Sequence, residues 1–150
     1  MQILQLLLTI LIAVFIVYFI NSLVNRDLKK RDIIFDLINT FQNGITEIFT
    51  LGNSYIIQPD LEKERRIKSS FKAASILLSV IKDIKRDELM EKIFEDDRLV
   101  NHFFKFKIFL TDSPFGEKEP AYSESDVNDF QHKYGILLSY LYRCKLKIYS

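Results

Sequence analysis

Residues 3–20 are Leu, Ile, Val, Phe or Ala at nearly every position, and no charged side chain occurs before Arg26. At about 1.5 Å rise per residue, a helix over Ile3 to Ile20 extends about 27 Å, close to the hydrocarbon thickness of a bilayer. Asn21 and Ser22 mark where the apolar run stops. The pattern predicts a membrane-spanning helix within residues 1–25.

From Arg26 onward the pattern is amphipathic, with apolar residues recurring every three or four positions. Ile34, Leu37, Ile38, Phe41, Ile45, Ile48 and Phe49 form one helical stripe, and Gly52-Asn53 supplies its expected stop. A second helix is expected from the Pro59-Asp60 capping pair to about Arg86, with Ile67, Phe71, Ala74, Leu77, Leu78, Ile81 and Ile84 inward. A third is expected from Asp87 to Leu110, placing Leu89, Met90, Ile93, Phe94, Val100, Phe103, Phe104 and Leu110 toward a core. Because no Gly or Pro separates these two, the expected break is a tight turn around Lys85 to Glu88. Pro114, Gly116 and Pro120 make Thr111 to Tyr122 a loop. Ser123 followed by Asp126 reads as a fourth helix start, and Val127, Phe130, Tyr134, Leu137, Leu138, Leu141 and Ile148 continue its stripe.

The expected fold is therefore all-α: a single N-terminal transmembrane helix at 1–25, then an up-down four-helix bundle at 26–150. Period-two alternation is nowhere sustained, so the abundant Ile and Phe do not argue for strands. No proline lies between Asn21 and Leu51, so the first bundle helix can continue directly from the membrane helix.

Charge orients the anchor. A cleaved signal peptide carries Lys or Arg before its apolar run and small residues after it, whereas Met1-Gln2 precedes this run and Tyr18-Phe19-Ile20-Asn21 follows it. Arg26, Lys29, Lys30 and Arg31 flank its C-terminal end, which places the bundle in the cytoplasm and the short N-terminus outside an inner, plasma membrane. The lone Cys144 fits a reducing compartment and reads as a packed thiol. In an up-down bundle Lys29, Lys30 and Arg31 meet Arg143, Lys145 and Lys147 at the membrane-proximal end, a basic surface suited to anionic lipid. Within the membrane run, Gln5, Thr9 and Ala13 are spaced by four and offer a face for self-association into a homo-oligomer.

Candidate chemistry is sparse. A formal net charge of +1, with no basic stripe interleaved with aromatics, argues against a nucleic-acid partner. His102 and His132 are the only histidines, and no His-x-x-x-His or Cys-x-x-Cys occurs, so no metal site, cofactor site or catalytic residue is expected. All glycines are isolated, which rules against a phosphate cradle. Asp97 interrupts an apolar stripe and is expected at the core's edge. Arg98-Leu-Val-Asn-His102 is the nearest approach to the Arg/His pair of the helical-bundle ribonucleases known as HEPN. That pattern places four to six residues between the two, and only three intervene here.

The Thr111–Tyr122 loop is long for a bundle, acidic at Glu117 and Glu119, and carries Phe115 and Tyr122 as expected anchors for a protein partner. The sequence thus reads as a membrane-anchored, non-enzymatic binding, sensing or regulatory module. A membrane-disturbing effector with a sensor bundle, and a ribonuclease using Arg98 and His102, are the alternative readings.

Overall fold

The computed structural model describes residues 2–150 apart from 85–87, 95–96, 113 and 118–119; at 2–11, 13, 14, 84 and 88–90 it describes the backbone alone. The described residues form helices and no strand: α1 (Gln2–Ile57), α2 (Leu61–Ile84), α3 (Glu88–Ile93), α4 (Arg98–Phe109) and α5 (Glu124–Ile148). The chain divides into two compact units, Met1–Ile34 and Phe35–Ser150.

In the first unit, residues 15–30 of α1 are exposed throughout. Among the described residues no helix is long and apolar enough to cross a membrane. The expected anchor, Ile3 to Ile20, falls largely on positions whose side chains lie outside the description, as do Gln5, Thr9 and Ala13.

The second unit is a helical bundle. Ile38, Phe41, Ile45 and Ile48 of α1 and Ile67 of α2 are fully buried, and Phe71, Ala74 and Ile81 of α2 are nearly so. Phe130, Leu137, Leu141 and Ile148 of α5 complete the core from the other side. Aromatic rings run through it in sequence: Phe41 to Phe103 (5.6 Å), Phe103 to Phe71 (6.1 Å), Phe71 to Phe106 (5.9 Å), Phe106 to Phe130 (5.3 Å) and Phe130 to Phe49 (5.2 Å). Each fully buried Phe contributes about 1.5–3 kcal/mol by leaving water.

Helix starts follow local chemistry. Asp60 accepts the backbone N–H of Lys63 at 2.7 Å, and its carboxylate pairs with Lys63 Nζ at 3.0 Å. At α5, Ser123 Oγ accepts from Asp126 N at 3.2 Å while Asp126 Oδ2 accepts from Ser123 N at 2.8 Å, a complete capping box.

Two expectations are corrected. Gly52-Asn53 does not end the first helix, which runs on to Ile57. Gly52 is buried inside the helix, where a Cβ would stand 2.7 Å from Leu110 Cδ1 and 2.8 Å from Phe130 Cζ. Its missing side chain serves helix packing. The helix ends instead before Pro59, which disfavours α conformation at Gln58, and Lys63 Nζ accordingly reaches the freed carbonyl of Gln58 at 2.7 Å.

The expected third helix is also divided. α3 ends at Ile93 and α4 begins at Arg98, with Asp97 at the N-cap position and its side chain exposed. The interruption resets the helical phase, so Leu99, Phe103, Phe106 and Leu110 face inward, while Phe104, expected in the core, is 56% exposed. The expected turn at Lys85 to Glu88 lies mostly outside the described residues, between the end of α2 and the start of α3.

Candidate functional site

Between Leu110 and Ser123, the described residues of the connection are held by local hydrogen bonds. Thr111 and Asp112 donate to Ile108 O at 3.1 and 2.9 Å, Phe115 N donates to Asp112 O at 2.8 Å, and Glu117 N to Pro114 O at 3.1 Å. Gly116 takes φ = 79°, a left-handed value that a side chain disfavours. Its N–H donates to Tyr55 Oη at 3.1 Å, linking the connection to the last turns of α1.

Tyr55 organises the region. Its ring lies 4.7 Å from Phe115 and 6.4 Å, edge-on, from Tyr122, and Tyr122 in turn stacks on Phe109 at 5.9 Å. Phe115 is only 8% exposed, with Lys68 Nζ 5.8 Å from its centroid. Phe115, expected as a partner anchor, is buried against Tyr55 in a connection that carries two prolines and one glycine. Tyr122 is half-buried, and its hydroxyl is shielded from water without a hydrogen-bond partner among the described residues. Burial, with smaller contributions from Tyr55, Asp126 and Glu117, raises its pKa and keeps the phenol neutral. Glu117 is exposed, and Glu119 lies outside the described residues.

Between this connection and the α1–α2 corner lies a cleft of about 280 Å³. It is lined by Tyr55, Pro59, Leu61, Gly116 and Pro120 together with the carboxylates of Asp60, Glu64 and Glu117. Much of that acidity is already balanced, because Asp60 pairs with Lys63 and Glu64 with Lys68. Hydrogen bonds from Lys63 hold the Asp60 carboxyl below the usual range. The apolar part is more open. Leu61 is 59% exposed, and Ile57, four residues earlier at the end of α1, is 84% exposed. Sequence periodicity passed over both because they sit at helix ends, where position in a stripe says little about exposure.

The other candidates lie elsewhere. His102 is half-buried on α4, its ring 5.5 Å from that of Tyr140. Desolvation first, then the positive charges of Lys105, Arg98 and Arg143, lowers its pKa, so it is neutral near pH 7. His132 is exposed on α5. Among the described residues no group of His, Cys, Asp or Glu is arranged to hold a metal ion. Cys144 is buried.

Of the expected membrane-facing basic residues, Lys29, Lys30 and Arg31 belong to the first unit, and Arg143, Lys145 and Lys147 to the second. Arg143 is exposed and Lys147 half-exposed. Lys145 is used internally: its Nζ donates to Gln42 Oε1 at 2.5 Å and lies 5.6 Å from the Phe35 centroid. Desolvation lowers its pKa. Comparison with protein families, with characterised proteins and with solved structures gave no match.

Proposed function

We propose that this protein is a single-pass, membrane-anchored helical bundle in which α1, α2, the α3–α4 pair and α5 alternate up and down. It holds a non-enzymatic protein-binding module at the cytoplasmic face of an inner membrane. The uncharged run Ile3–Ile20 and the basic Arg26 to Arg31 segment after it support the anchor and its orientation. The module's recognition surface is the α1–α2 corner.

The observation that carries this reading is the exposure of Ile57 and Leu61, at 84% and 59%, at a corner whose cleft Leu61 lines and where the Tyr55–Gly116 hydrogen bond ties α1 to the connection. A pre-formed cleft with adjacent exposed aliphatics gains apolar burial on binding at little ordering cost. Glu117, exposed and on the cleft's lining, adds a contact for a basic group on the partner.

Full-length protein carrying Ile57→Gln and Leu61→Gln, recovered from membranes in mild detergent, should lose a partner that co-purifies with the wild type. Its helix content should be unchanged, because both side chains are exposed. If partner recovery is equal while substitutions at Lys72 and Lys105, on other faces, abolish it, the corner is not the recognition surface.

A further inference from the structure

The solvent-facing stripe of α5 changes chemistry along its length. Asn128, Gln131, Gly135 and Ser139 occupy it over the first turns, and all are exposed. The same stripe then carries Tyr142, Leu146 and Tyr149, which are 62%, 59% and 53% exposed. Spacings of four and three put these side chains side by side on one face. Arg143 and Lys147 each follow a member of the stripe and border it with positive charge.

This apolar, basic-edged segment lies where the chain enters the second unit. Tyr149's ring is 5.9 Å from that of Phe35, the unit's first residue. Arg26, Lys29, Lys30 and Arg31 precede Phe35 along the chain, and the uncharged run precedes them. Tyrosine suits a membrane interface, where its ring enters the apolar boundary and its hydroxyl stays among headgroups. Three side chains fall well short of the roughly 1,000 Å² that a specific protein interface exceeds. A small contact suffices, however, for a surface that a tether already holds nearby.

We propose that Tyr142, Leu146 and Tyr149, with Arg143 beside them, rest in the headgroup layer of an anionic lipid membrane. The inference rests on the anchored reading above. It makes the end of α5 a second membrane contact, which restrains the bundle against the bilayer instead of leaving it to swing on its anchor.

The chain contains no tryptophan, so a single introduced Trp reports on one position. Full-length Tyr142→Trp, Gln131→Trp and Val17→Trp are each reconstituted into vesicles of phosphatidylglycerol and phosphatidylcholine, with and without brominated acyl chains. The expected result is a blue shift and loss of emission by brominated lipid at position 142, with neither at position 131. The effect at 142 should weaken in vesicles of phosphatidylcholine alone. Quenching at 17 without quenching at 142 overturns this inference while leaving the anchor intact. Quenching at 142 without quenching at 17 supports the lipid contact and overturns the anchor. Quenching at neither position overturns both. A blue shift at 142 that persists in detergent and grows with protein concentration identifies a second copy of the chain as the occupant, and overturns it as well.

Discussion

Replacing Gly52 by Ala should destabilise the bundle, while the same replacement at Gly44, in the same helix, should stabilise it. In both cases alanine gains about 0.5–1 kcal/mol of helix-forming free energy over glycine. At Gly44 nothing among the described residues lies within 4 Å of the new Cβ, so that gain stands. At Gly52 the Cβ meets Leu110 Cδ1 at 2.7 Å and Phe130 Cζ at 2.8 Å, well inside the roughly 3.5–4.0 Å of carbon–carbon contact. Neither neighbour has room to retreat. Leu110 and Phe130 are both fully buried, and the Phe130 ring is held between Phe106 at 5.3 Å and Phe109 at 4.9 Å. Overpacking of this kind costs about 1–3 kcal/mol, which exceeds the propensity gain. The net loss is about 1 kcal/mol, a fall in melting temperature of about 4 °C, against a rise of a few degrees for Gly44→Ala.

Thermal unfolding of the full-length protein in mild detergent, followed by circular dichroism at 222 nm, reads both shifts. A Leu110→Val background separates close packing from any strain of a helix stop. Shortening Leu110 should relieve part of the Gly52→Ala cost if the two groups touch, whereas a backbone effect would add independently. If Gly52→Ala raises the melting temperature as Gly44→Ala does, or if its cost is the same in both backgrounds, the close α1–α4–α5 approach is refuted.

Other consequences are equally direct. Ser123→Ala removes the hydroxyl of the α5 capping box and should cost about 1 kcal/mol by chemical denaturation, with Ser123→Asp restoring most of it; no loss would mean that the box is not formed in solution. His102 has a folded pKa below its ordinary 6.5 because burial and neighbouring cations oppose its charge. Its contribution to stability is therefore present above pH 6.5 and lost as pH falls through the depressed value, so His102→Gln should flatten the stability profile on the acid side of neutrality. An unchanged profile would refute the assignment. For topology, Cys144 is 1% exposed and should resist thiol reagents until unfolding. Ser150→Cys, at an exposed position, should stay unlabelled by a membrane-impermeant reagent in intact cells and react after lysis, and labelling in intact cells would reverse the orientation.

What the sequence determined by itself is what depends on neighbours three or four residues away. The stripe Ile38, Phe41, Ile45 and Ile48 was legible as a buried face, because helical spacing alone brings those side chains together. The starts at Asp60 and Ser123 were legible for the same reason, since a cap needs only its own first turn. Tertiary structure decided the rest. Gly52 carries the same letter whether it ends a helix or admits a neighbouring ring, and only the positions of Leu110 and Phe130 distinguish the two. The phase of α4 turned on an interruption near Asp97 that no Gly or Pro announces, so burial passed to Phe106 while Phe104 faced outward. Phe115 looked like a free anchor until Tyr55, sixty residues earlier in the chain, supplied its partner. A residue's exposure depends on which distant surfaces close over it, and local pattern holds no record of those surfaces. That is why the candidate cleft, with Ile57 and Leu61 beside it, came into view only with the fold.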